Sequence, residues 1–112
     1  MLEQLKDTFD DKLEKCDNKY CIFSYISDTH LVMISRTLSN KKDMVKLTTS
    51  KIESCSQLLK YGFKIFIIFI ENDTYYYWSF NMNDVVNFIE GKDGGITIRS
   101  YINRDRLCKI NL

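Results

Sequence analysis

The chain of 112 residues has no proline, no alanine, one histidine and one tryptophan. Without proline, no turn is preset by a fixed φ, so elements must end at Gly, Asx or Ser residues. Without alanine, the best helix former is missing, so helices depend on packing one apolar face. No rule of folding forbids either residue. Both have GC-rich codons, whereas Ile, Lys, Asn, Tyr and Phe, with AT-rich codons, supply 47 residues. The composition points to an AT-rich genome, such as that of a virus or mobile element.

Other absences narrow the chemistry. Sixteen basic and 15 acidic groups leave a net charge of +1, which excludes a duplex-DNA binder working mainly through charge. The longest apolar run, Ile65 to Ile70, has six residues, against about 20 for a membrane span, so no membrane partner is expected. The opening MLEQLKDTFDDKLEK is acidic and amphipathic, unlike a secretory leader. The four cysteines, Cys16, Cys21, Cys55 and Cys108, form no Cys-x-x-Cys pair, and His30 is the one histidine. No four-ligand zinc set is spelled out. The cysteines read as small apolar residues of a reducing, cytoplasmic compartment. Gly94-Gly95 lacks the context of a phosphate loop, and no cofactor is implied.

What is present is a string of patterned segments. Leu2, Leu5, Phe9 and Leu13 recur every three or four residues and predict an amphipathic helix over 2–16. β-Branched and aromatic residues predict strands over 20–27 and 31–38, paired as a hairpin through the polar turn at 27–30. A turn over 39–43 leads to a short edge strand over 44–48. Ser50-x-x-Glu53, with Ile52, Cys55, Leu58 and Leu59, predicts a capped helix over 51–61 that Gly62 stops. Residues 64–70 read as a central strand buried on both faces, and 75–80 as its antiparallel neighbour. Asn83 and Gly91 bracket a short helix over 83–90, with Val85, Val86, Phe88 and Ile89 on it. Residues 96–102 alternate like a strand with one wet face, and the tail from Asn103 is basic. The order αβββαββαβ predicts one α/β (mixed α+β) domain over 1–112. It would hold a central mixed sheet of about five to six strands flanked by three helices.

An opening helix, a hairpin, a short third strand, a capped helix and an apolar strand, over residues 2–80, resemble the core of the PD-(D/E)XK nuclease fold. Archaeal Holliday junction resolvases are one example of that family. The resemblance implies an Asp on one strand and a Glu-x-Lys on the next, which bind a divalent cation and activate water. Those positions fall here near Cys21 or Ile22, near Ile34 or Ser35, and near Arg36 or Thr37. No carboxylate stands at any of them, and a hard cation needs oxygen ligands. The resemblance therefore implies a degenerate copy with no catalytic residue and no metal ligand.

Charge is segregated along the chain. Residues 1–17 carry six acids and three lysines, or −3, whereas residues 96–112 carry Arg99, Arg104, Arg106 and Lys109 against Asp105, or +3. Arg presents a planar fork suited to phosphate or carboxylate, which makes this last segment a candidate anion site. Tyr76, Trp78 and Phe80 share one strand face that reads as core. Tyr75 and Tyr77 share the other, where an exposed ring would stack a base or anchor a protein interface. Asp28 and His30 share a turn and form the best general-base candidate.

The favoured reading is a non-catalytic interaction module that binds a protein partner, in a virus a host-directed inhibitor, or itself as a homodimer. A two-fold axis sets each acidic end near a basic one. One alternative is a nuclease-fold relic that binds RNA, single-stranded DNA or junctions through Arg99, Arg104, Arg106, Lys109, Tyr75 and Tyr77. The other is a small enzyme built around Asp28 and His30.

Overall fold

A computed structural model describes residues 1–35 and 43–111. Helix α1 (Leu2–Thr8) opens the chain. Strands β1 (Glu14–Lys15), β2 (Tyr25–Ile26), β3 (His30–Ser35) and β4 (Met44–Leu47) follow, then helix α2 (Thr49–Leu59). The rest is β: β5 (Lys64–Glu71), β6 (Thr74–Ser79), β7 (Val86–Lys92), β8 (Gly95–Asn103) and β9 (Cys108–Ile110).

The strands form a six-stranded sheet in the order β1-β2-β3-β5-β6-β9 and a three-stranded sheet in the order β4-β8-β7. β3 and β5 are parallel, from His30 opposite Lys64 to Ser35 opposite Phe69. Parallel neighbours need a crossover, and α2 lies within it. The remaining pairs are antiparallel.

Strand β5 explains the layering. Its residues are apolar on both sides, so both sides need cover. Ile65, Ile67 and Phe69 join Met33, Trp78 and Phe80 beneath Ile52 and Cys55 of α2 and Val45, Leu47 and Ile102 of the smaller sheet. Ile68, with Phe66 and Ile70, meets Leu5 and Leu13 on the opposite side, where Phe9, Tyr75 and Tyr77 pack as well. Each such side chain contributes about 1.5–3 kcal/mol of burial.

The single sheet flanked by three helices is overturned. The described residues form two sheets and two α-helices. The segment expected as a helix over 83–90 is a one-turn 3-10 helix, Met82–Asp84, followed by β7. Asp93 (φ 51°) and Gly94 (φ 80°) fold β7 back onto β8, with Lys92 opposite Gly95. An Asp-Gly turn with both φ values positive matches strand twist, and Val86, Phe88 and Ile89 favour a strand. Gly91 is therefore a strand residue rather than a helix stop. Asn81, not Asn83, supplies the cap, its Oδ1 accepting from the Asn83 N–H at 3.0 Å.

The expected helix over 2–16 ends at Thr8. The Asp10 carboxylate accepts the Lys12 N–H at 3.0 Å, and such local bonds compete with the helical ladder. Leu13 is buried nonetheless. Of the strand expected over 20–27, only Tyr25–Ile26 pairs as a strand. Asn18 holds the preceding loop by accepting the Tyr20 N–H on its side chain and the Cys21 N–H on its carbonyl. β4 is not at the edge of the hairpin's sheet; it pairs with β8, Val45 opposite Ile102. α2 starts at Thr49 with Thr48 as its N-cap, so Ser50 lies inside it and caps nothing. Gly62, at φ 88°, does sit just past its end. The basic tail holds β9, paired with β6. The expected strand residues 36–38 and most of the turn over 39–43 lie outside the described residues. No helix among the described residues is long and apolar enough to cross a membrane.

Candidate functional site

The cationic residues singled out in the sequence do not form one patch. Arg99 lies on β8, Arg104 and Arg106 lie in a 3-10 turn, and Lys109 is exposed on β9. Each of the three guanidinium groups faces a carboxylate of the same chain. Arg104 Nη2 donates to Glu71 Oε2 at 2.8 Å. Arg99 Nε lies 3.2 Å from Glu90 Oε2, and Arg106 Nε lies 3.6 Å from Asp84 Oδ1. These acids belong to the middle of the chain, not to its acidic start.

Tyr75 and Tyr77 lie under α1 rather than on an open sheet. The Phe9 ring stacks on Phe66 at 4.2 Å and meets the Tyr77 ring edge-on at 5.1 Å. Burial, and the Cys108 thiol beside it, push the Tyr77 hydroxyl's pKa up. On the other face of β6, Trp78 and the following Phe80 are buried.

His30 has a partner that its neighbours in sequence do not reveal. Its Nδ1 lies 3.1 Å from Asp10 Oδ2 and 2.7 Å from Thr29 Oγ1. Ser27 Oγ and Thr29 Oγ1 donate to the same Asp10 oxygen at 2.7 and 3.2 Å. With the Thr29 hydrogen given to Asp10, Nδ1–H of His30 is placed to donate into the same network. These bonds, led by that from Ser27, hold the Asp10 carboxyl well below the usual carboxylate range. The His30 ring also stacks against Phe66, at 5.8 Å and 10° between planes. Asp28 is exposed and lines the same groove, about 410 Å³, with Lys6 and Lys12. Ser27 and Thr29 both spend their hydroxyl hydrogens on Asp10, so neither is an activated nucleophile beside His30. The cluster ties the end of α1 to the turn between β2 and β3.

The positions where the nuclease resemblance asks for carboxylates hold Cys21 or Ile22 in the loop before β2, and Ile34 or Ser35 at the end of β3. Arg36 and Thr37 lie outside the described residues. Among the described residues, no group of three or more His, Cys, Asp or Glu is placed to hold a metal ion.

The β7–β8 hairpin carries the most exposed large apolar cluster. Alternation on β8 puts Ile96, Ile98, Ser100 and Ile102 on one face, with Ile89 of β7 opposite Ile98. Ile102 is fully buried and Ser100 is 1% exposed, its hydroxyl donating to Asn87 Oδ1 at 2.6 Å. Beyond Ser100 the same face leaves the body: Ile98 is 49%, Ile89 71% and Ile96 77% exposed. On the reverse face, Phe88 meets Tyr101 at 5.6 Å and is itself exposed. β7 ends its sheet, so its outer N–H and C=O groups lack a strand partner among the described residues. Sequence reasoning missed this hairpin. The signal for it was Asp93-Gly94 between two β-branched runs.

No protein-family model matches the chain, and neither a curated protein nor a solved structure proved significantly similar to it.

Proposed function

We propose that the protein is a non-catalytic interaction module that recognises protein through the β7–β8 hairpin, with a second copy of itself as the partner. The exposure of Ile89, Ile96 and Ile98 on one face carries this reading. An apolar sheet face continued past the body into solvent marks a protein-binding surface. The free edge of β7 supplies the second half of such an interface, because a row of unpaired backbone groups is a template for another strand. Antiparallel pairing of β7 with its counterpart, about a two-fold axis at Ile89, overlaps the whole of Val86–Lys92 and sets Ile89 beside its own copy. The opposed charges of the chain ends do not support the dimer, since the arginines are already paired.

Light scattering coupled to size-exclusion chromatography tests the reading. The protein is expected to run as a dimer whose fraction falls on dilution. Ile89→Asp and Ile96→Asp are expected to give a folded monomer with unchanged circular dichroism. A wild-type chain that stays monomeric up to about millimolar concentration, where only associations weaker than about −4 kcal/mol escape detection, overturns it.

A further inference from the structure

A second feature, independent of the hairpin, lies where the two sheets part. β3 and β5 run side by side, with Met33 opposite Ile67 and Ser35, the last residue of β3, opposite Phe69, two residues before the end of β5. β4 does not continue that sheet, because it pairs with β8. The gap left between β3, β5, β4 and the start of α2 is a cleft of about 340 Å³. Its floor is apolar, built from Met33, Ile67 and Phe69, and its rim carries Lys46, Thr48 and Lys51.

The charge at this rim is of one sign. Among the described residues, no Asp or Glu lines the cleft. Neither lysine has an ion-pair partner among the described residues, whereas Arg99, Arg104 and Arg106 all do. The connection from β3 to β4, residues 36–43, has one acid in its sequence, Asp43, against Arg36, Lys41 and Lys42. Lys51 also acts on Cys55 beneath it: burial pushes that thiol up to about 11, and the nearby ammonium works against the rise. An apolar cleft of a few hundred Å³ with a few convergent polar groups is the ordinary form of a small-molecule site. In open α/β sheets such sites lie beyond the carboxyl ends of the strands, and here the carboxyl end of β3, with Phe69 of β5 beside it, lines this cleft.

We infer that this cleft binds an organic anion. Its apolar body lies on Met33, Ile67 and Phe69, and its carboxylate or phosphate is held by Lys46 and Lys51. Charge complementarity selects an anion over a neutral or cationic ligand, and the floor selects one with a hydrocarbon or ring body over a bare inorganic ion.

Amide-detected NMR titration of the full chain separates these parts with three probes: octanoate, octanol and inorganic phosphate. Octanoate is expected to shift the amides of Met33, Ile67, Phe69 and residues 46–52. Octanol and phosphate, each with one half of the chemistry, are expected to bind at least tenfold more weakly. The Lys46→Glu, Lys51→Glu double variant is expected to lose octanoate affinity at least tenfold, with an unchanged melting temperature because both side chains are exposed. Octyl phosphate, run in parallel, tells which anionic head is preferred. Octanoate shifts confined to the Ile89–Ile98 hairpin overturn the inference, as does equal binding of octanol or of phosphate. Equal affinity in the charge-reversed variant overturns it too. Oligomeric state is not read in this titration, so its failure and the failure of the dimer reading are separate results.

Discussion

Strand β8 carries isoleucine at both ends of one face, and the two ends live in different surroundings. Ile102 is sealed between the smaller sheet and the main core, whereas Ile96 is 77% exposed. Residue type, strand and face are the same. What differs is the layer opposite: the six-stranded sheet and α2 lie under the root of the hairpin, and no described residue buries its tip. Burial here is therefore a property of how far β7 and β8 outrun the body, and not of the alternation that both ends share. The root contributes to stability, and the tip is free to contribute to binding.

That contrast can be broken by four tests. The largest effect is expected at the root. Ile102→Ala should cost about 2–5 kcal/mol in urea unfolding, the range for truncating a buried aliphatic side chain; a loss below about 1 kcal/mol would erase the distinction. Next come the ion pairs at the two levels. Glu71→Gln, which deprives the half-buried Arg104 of its 2.8 Å partner, should cost about 1 kcal/mol. Glu90→Gln, facing Arg99 on the more exposed part of the hairpin, should cost less than about 0.5 kcal/mol and nothing in high salt. Equal costs for the two would deny that the root is the more ordered level.

The third test lies in the body, at Asp10. Its carboxyl titrates below its ordinary value of 3.8 when folded. A lowered pKa contributes stability that is complete above the unfolded value and is lost as pH falls through the folded one. Melting temperature should therefore decline in acid below about pH 4, and Asp10→Asn should flatten that decline while lowering stability at neutral pH. A variant with the same acid slope as the wild type would remove Asp10 as the cause. The smallest effect is expected at the tip: Ile96→Ala should stay within about 0.5 kcal/mol of the parent, measured by the same urea transition.

The sequence shows its strongest elements where local signals agree with global ones. The run at 64–70 needed cover on both faces and has it, and Leu5, on the apolar stripe of the opening helix, is fully buried with Leu2 partly so. It misleads where one residue has two uses. Gly91 and Val85–Ile89 fit a short helix by spacing, but the Asp93-Gly94 turn two residues later decides for a hairpin. Asp10 fits a solvated helix face, yet its oxygens serve a turn 17 to 20 residues further on. Asp28 was the nearer carboxylate to His30 in sequence, and distance along the chain did not translate into contact. The lysines at 46 and 51 carry no motif at all; only the parting of the two sheets puts them over one apolar floor. Pairings between distant segments are the part that periodicity cannot encode.

The pairing of Met44 with Asn103 also fixes an order of assembly. As the chain leaves the ribosome, β2 and β3 can pair at once, and β5 can join them after α2 has formed. β4 is made before either, yet its strand partner is about 55 residues away, and non-local pairings of this kind form late. Until β8 emerges, β4 is an exposed edge in an otherwise advancing structure, the kind of segment on which nascent chains aggregate. The smaller sheet cannot be completed before β8 emerges, and the six-stranded sheet is completed later still, when β9 joins β6.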